Sequence, residues 1–336
     1  MMDRSAAAAY VYAKASGMLA KSYVGPRAAR LFEANSLHEL WALLCTQDAP
    51  VLPEALFAQA LEQEAEKQFA SDYITLLKAY SKPGGVLVSL LRSFDYDNLK
   101  DMGATLCAGA ENRPALVDIR PYSQLNYDAW PNLATITKDS PAAWYNTVPQ
   151  PGNQHGLDEK LDKQYTRDLW DSVLSLKGAE REALYELIRQ HLSAENMLWV
   201  IRLKVYFAMP REEIIPRLAY GTDTDKGSDP LAGEAFGILD LPVDSYDAWA
   251  KWKYAGLLNP SEEGVPWTID PRWLYQAFRR RIQHMARQRF HQHPFTDAAL
   301  ASWFLIKQFE LDCIRTAVEG LRLNVDKKLA RETAGV

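Results

Sequence analysis

Apolar residues recur along this chain at helical spacing. In PRWLYQAFRRRIQHMARQRFHQ, Leu274, Phe278, Ile282 and Met285 follow one another at intervals of four, four and three. That spacing puts them on one face of a helix with about 3.6 residues per turn. Arg280, His284, Arg287 and His291 form a second stripe on roughly the opposite face. Earlier in the chain Leu61, Ala65 and Phe69 step by four, and Tyr73, Leu76, Leu77 and Tyr80 continue the run. No alternating β-branched segment of useful length occurs, so the pattern predicts an all-α protein.

The helices are organised as repeats. FDYDNLK at 94–100 returns as LSAENML at 192–198 and as FELDCIR at 309–315. A large apolar residue precedes Asp95, Ser193 or Glu310, then come Asp97, Glu195 or Asp312, and then Leu99, Met197 or Ile314. Each heptad closes a longer pattern: a short helix carrying Trp41, Trp144 or Trp249, a long helix, a Gly/Pro break and a hydrophobic helix. A polar turn then leads into a last helix that is expected to start at the acidic motif, whose carboxylates would serve its free N–H groups. Leu99, Met197 and Ile314 are expected on buried faces. The motifs recur about 100 residues apart, too far for a short solenoid repeat, which implies three similar domains. Pro- and Asp-rich linkers such as RPALVDIRPYSQLNYDAWPNL separate them, with expected bounds 1–112, 113–218 and 219–336.

Composition narrows the class without naming a function. With 336 residues, 48% hydrophobic and 24% charged, the chain is neither disordered nor too small for several cores. A formal net charge of −5 gives no general attraction to nucleic acid or anionic lipid. Cys45, Cys107 and Cys313 are far apart, which fits reduced cysteines better than a disulfide framework. The N-terminus lacks the pattern of a signal peptide, and apolar runs such as GGVLVSLL are too short to span a bilayer.

Taken together, the three motifs, AYVYAKASGMLAKSYVG and LFEANSLHELWALLCTQ at the start, and LSAENMLWVIRLKVYFAMPREEIIPRL in the middle resemble the C-type subunits of the V-type/A-type ATPases, homologous to the eukaryotic d-type ones. FELDCIRTAVEGLRLNVDKKLARE resembles the family's C-terminal counterpart, with Cys313 where the motif has Asn. The resemblance implies three helical-bundle domains around a pseudo-threefold axis, shaped as a funnel. It further implies a non-catalytic central-stalk protein on the cytoplasmic face of the membrane, peripheral and present in one copy. Its partners would be the D and F shaft subunits and the proteolipid of the membrane rotor ring. A helical scaffold serving another assembly is the alternative, and an enzyme with a dispersed site is a third reading.

Candidate chemistry adds little to this. The acidic pairs at 95–97 and 211–213 read as solvated helix-start acids before they read as an acid/base couple. His284, His291 and His293 are spaced seven and two, not as a helical metal pair. DTDKGSD at 223–229 has its glycine one place too early for a calcium loop and reads as an exposed linker. No phosphate-binding loop or nucleophile signature is present. Catalytic, cofactor and metal residues are therefore all expected to be none. Arg279, Arg280, Arg287 and Arg289 are candidate partner contacts, with solvent, an acidic protein surface and lipid headgroups all open as what they face.

Overall fold

The computed structural model describes residues 4–223 and 227–336. Its helices in chain order are α1 (Arg4–Lys21), α2 (Leu37–Leu44), α3 (Glu54–Leu77), α4 (Gly85–Leu91), α5 (Ser93–Cys107) and α6 (Leu133–Thr137). There follow α7 (Gln154–Leu174), α8 (Gly178–Phe207), α9 (Arg211–Ile214), α10 (Gly233–Phe236), α11 (Pro271–Gln292), α12 (Asp297–Arg322) and α13 (Lys327–Ala334). Short 3-10 turns join several of them, notably Gly25–Phe32 and Tyr246–Trp249. No strand occurs among the described residues, as the apolar periodicity predicts.

The chain divides into two compact units, one of residues 4–165 with 286–334 and one of residues 166–285, the boundaries falling inside α7 and α11. The first unit is built around α12. Its opening residues from Asp297 to Ile306 are all buried, as expected of a helix that is apolar on every side. Thr296 caps it through a hydrogen bond from Ala298 N. α3, α13, α1, α4 and α2 pack on α12. One apolar cluster joins Leu31, Trp41, Phe57 and Leu61 to Phe309, Ile314 and Val318. A second joins Tyr96, Leu99 and Met102 to Leu125, Ile136 and Tyr145.

The core of the second unit runs along α8. Met197, Leu198, Ile201 and Leu203 meet Ile214, Ala235, Ile238, Trp249 and Phe278. With 30 residues, α8 is about 45 Å long. It ends where Ala208 turns left-handed at φ 47° and Met209 N bonds back to Leu203 O, with Pro210 next. Lys204 near that end donates to the carbonyls of Ile238, Leu239 and Leu241 and ties the helix to the following segment.

Three expectations need correction. The last helix starts at the acidic motif only in the first repeat, where the helical ladder breaks at Arg92 before α5. In the other repeats α8 and α12 run straight through it, because Arg189-Gln190-His191 and Lys307-Gln308 are helix-compatible polar residues, not a turn. Trp41 and Trp249 are core residues, whereas Trp144 sits half-buried in a turn outside any helix and Tyr145 fills the core beside it. Of the 223–229 stretch, residues 224–226 lie outside the described residues, but Asp229 is buried rather than an exposed linker residue.

Candidate functional site

The acidic motifs turn inward. Asp95, 4% exposed, accepts hydrogen bonds from Ser123 Oγ (2.7 Å), Gln124 N (2.9 Å) and the Tyr127 hydroxyl. Burial raises its pKa, and these three bonds oppose the rise. One turn on, Asn98 donates to Val117 O at 2.8 Å and accepts from Val117 N at 2.9 Å, a two-point grip on one backbone unit. Asn196 in α8 repeats that grip on Ala219, at 2.8 and 2.9 Å, and also donates to Leu231 O at 3.0 Å.

Where the first motif has Asp95, the second has the fully buried Ser193, whose Oγ has no hydrogen-bond partner. Its segment receives a carboxylate from within instead. Asp229 accepts from Gly221 N, Thr222 N, Thr222 Oγ1, Leu231 N and Ala232 N at 2.8–3.1 Å. In α12, buried Glu310 accepts from Tyr23 N and from Lys307, which also donates to Ser22 Oγ at 3.0 Å. Cys313 replaces the gripping Asn and lies in the apolar cluster with Ala28 and Leu31. Each motif therefore fastens the segment that leads into another repeat, and the third fastens the segment leading into the first.

Two recessed surfaces flank these fastenings in the first unit. A cavity of about 340 Å³ is walled by Glu66, Lys67, Asp97, Lys100, Asp101 and Arg315. Lys100 bridges Asp97 (3.4 Å) and Asp162, while Arg315 bridges Glu66 (2.6 Å) and Asp312 (3.3 Å). Burial, then Asp97 and Glu66, push the Asp101 carboxyl up to about 6. The second cavity, about 400 Å³, is lined by residues that include Tyr23, Cys45, Asp72, Lys307 and Glu310. Burial there pushes the Cys45 thiol up to about 11, which keeps it protonated and weakly nucleophilic. Among the described residues no group of three or more His, Cys, Asp or Glu is placed to hold a metal ion.

The four candidate arginines share α11 without forming one cluster. Arg280 is exposed, and seven residues on, along the same face, Arg287 is half-buried over Gly25. Arg279 donates to the Tyr275 hydroxyl at 2.9 Å, and Arg289 lies 3.3 Å from His293 Nε2. The helical turn puts Arg289 roughly opposite Arg280.

A family model described as ATP synthase (C/AC39) subunit matches residues 8–333. The chain belongs to that family. Membership groups it with the non-catalytic C/d-type subunits of V/A-type ATPases, as the motif order implies. An uncharacterized protein of Treponema pallidum (strain Nichols) is 26% identical to this C/AC39 chain over 334 residues, covering 99% of this chain and 98% of that one.

The buried fastenings of this C/AC39 chain do not show in its sequence, where the motif acids read as solvated helix starts. Only Asp97 in the first repeat fits that description, 63% exposed near the start of α5, whereas Asp95 and Glu310 are buried. One signal is present in the sequence. Asn98 and Asn196 follow the first motif position at the same offset of three, which puts both residues on one helix face.

Proposed function

We propose that this chain is the non-catalytic central-stalk subunit of a V/A-type rotary ATPase. In this reading it is a socket that couples the D–F rotor shaft to the membrane rotor ring during ATP-linked proton or sodium transport. The match over residues 8–333 carries the proposal. The architecture suits it mechanically. A torque coupler needs stiff struts and firm joints, and it needs no bond-making chemistry. The struts are helices of 24, 21, 30, 22 and 26 residues. The joints are the Asp95, Asn98, Asn196 and Glu310 fastenings, which hold connecting segments that otherwise have little regular structure.

Peripheral attachment through the ring suits a chain in which no helix among the described residues is long and apolar enough to cross a membrane. Mixing the purified chain with D–F shaft and with detergent-solubilised rotor ring at low salt tests the proposal. A one-to-one complex with both is expected. Failure to bind either under those conditions removes the proposal and leaves the scaffold alternative.

A further inference from the structure

The first unit carries a basic surface with an aromatic edge. Residues 4–32 contain Arg4, Lys14, Lys21, Arg27 and Arg30 and no acidic residue, and residues 286–293 add Arg287, Arg289, His291 and His293, again with no acid. The structure packs the two stretches together. The Arg287 guanidinium lies over Gly25, so close that a Cβ there would sit 2.7 Å from Nη2. The φ of +60° at Gly25 gives a second reason for glycine at that position. One turn along, His291 Nδ1 lies 3.2 Å from the Tyr12 hydroxyl. Phe295, 62% exposed, stands edge-on to Tyr12 with ring centroids 6.1 Å apart.

Arg287 is the telling residue. It is half-buried, and burial lowers its pKa with no carboxylate to oppose the shift. Among the described residues it makes no ion pair and no hydrogen bond. Glu310, which accepts from Tyr23 N two residues before Gly25, is committed to Lys307. A cation that has lost water without gaining a counter-ion carries a desolvation cost that an incoming carboxylate would reverse.

We propose that Arg287, His291, Tyr12 and Phe295, with Lys21 and Arg30 on the adjoining segment, form a docking surface for an acidic protein partner whose carboxylate pairs with Arg287. The planar guanidinium fork matches a carboxylate in two-point geometry, and arginine and tyrosine are enriched among the residues that anchor protein interfaces. A lipid surface fits less well. A membrane-lying helix needs a free apolar face, whereas that face of α11 is spent in the core through Leu274, Phe278, Ala286 and Phe290. The inference defines the partner by its chemistry and does not depend on the rotor reading.

The test places a photo-crosslinking phenylalanine analogue at Phe295 in the full-length chain within its native cells. The expected adduct is with a protein segment carrying Asp or Glu beside the crosslinked position. Arg287→Glu should lower its yield roughly tenfold, Arg287→Gln less, and reversing the partner's carboxylate to lysine should restore the yield with Arg287→Glu. Thermal melts check that both variants remain folded. No adduct, an adduct indifferent to Arg287→Glu, or an adduct with lipid overturns the proposal. So does binding of the purified chain to phosphatidylglycerol vesicles that Arg287→Glu abolishes.

Discussion

Replacing Asn98 with alanine tests the fastening idea where it is sharpest. The side chain is 3% exposed, and its grip on Val117 N and O is supplemented by a 3.0 Å bond to the Tyr127 hydroxyl. Alanine leaves both backbone groups of Val117, itself 7% exposed, without their side-chain partner. Orphaning a buried polar group costs about 1–3 kcal/mol, so the pair predicts a loss of about 2–6 kcal/mol, the lower end applying if water enters. That is a large share of an ordinary stability of about 5–15 kcal/mol. Asn196→Ala, which frees Ala219 and Leu231 O, should cost a similar amount. Cys313→Ala, at a position inside the apolar cluster, should cost only about 1 kcal/mol for the small cavity. Urea unfolding followed by circular dichroism gives the global number, and hydrogen exchange at the Val117 amide reads the joint directly. An Asn98→Ala protein within about 0.5 kcal/mol of the parent, with Val117 still protected, would refute the reasoning.

Other consequences are equally measurable. Leu99→Asp, Met197→Asp and Ile314→Asp each put a charge at a position no more than 6% exposed and should cost about 3–5 kcal/mol; unchanged melting in all three would mean the repeats are misaligned. Lys204→Met should cost about 2–4 kcal/mol, since the carbonyls of Ile238, Leu239 and Leu241 lose their shared donor; an unaltered urea midpoint would show that they have other partners. Asp101 bears on pH. Its folded-state carboxyl is raised to about 6 from 3.8, so between those values the folded protein holds more proton than the unfolded one, and this group's contribution to stability falls as pH rises through that window. Asp101→Asn should therefore gain stability relative to the parent between about pH 4 and 6. A difference that is flat with pH would contradict the shift.

Much of the fold is legible because helix formation leaves a periodic trace. Leu274, Phe278 and Ile282 announce α11 and are all buried in it, and the Gly/Pro break at 81–85 does separate α3 from α4. The order of the motifs is equally readable. The joints are not, because an aspartate that caps a helix and one that holds a distant backbone amide are the same letter. Asp95 bonds Gln124 N across 29 residues and Glu310 bonds Tyr23 N across 287, separations at which local pattern carries no information. The exchange of a motif carboxylate for Asp229 is hidden for the same reason: Ser193 looks like a simple substitution until the chain is folded. Continuity at the motif fails in the other direction, since Arg92 breaks the ladder in the first repeat while equally polar residues at 189–191 do not.

The central claim is best tested by affinity purification of the tagged chain from gently solubilised native membranes, with the accompanying proteins identified. The account predicts the catalytic A and B subunits, the D–F shaft and a small ring proteolipid together, in amounts consistent with one copy of this chain per complex. Recovery of the chain alone, or with partners that include no part of an ATPase, would contradict it.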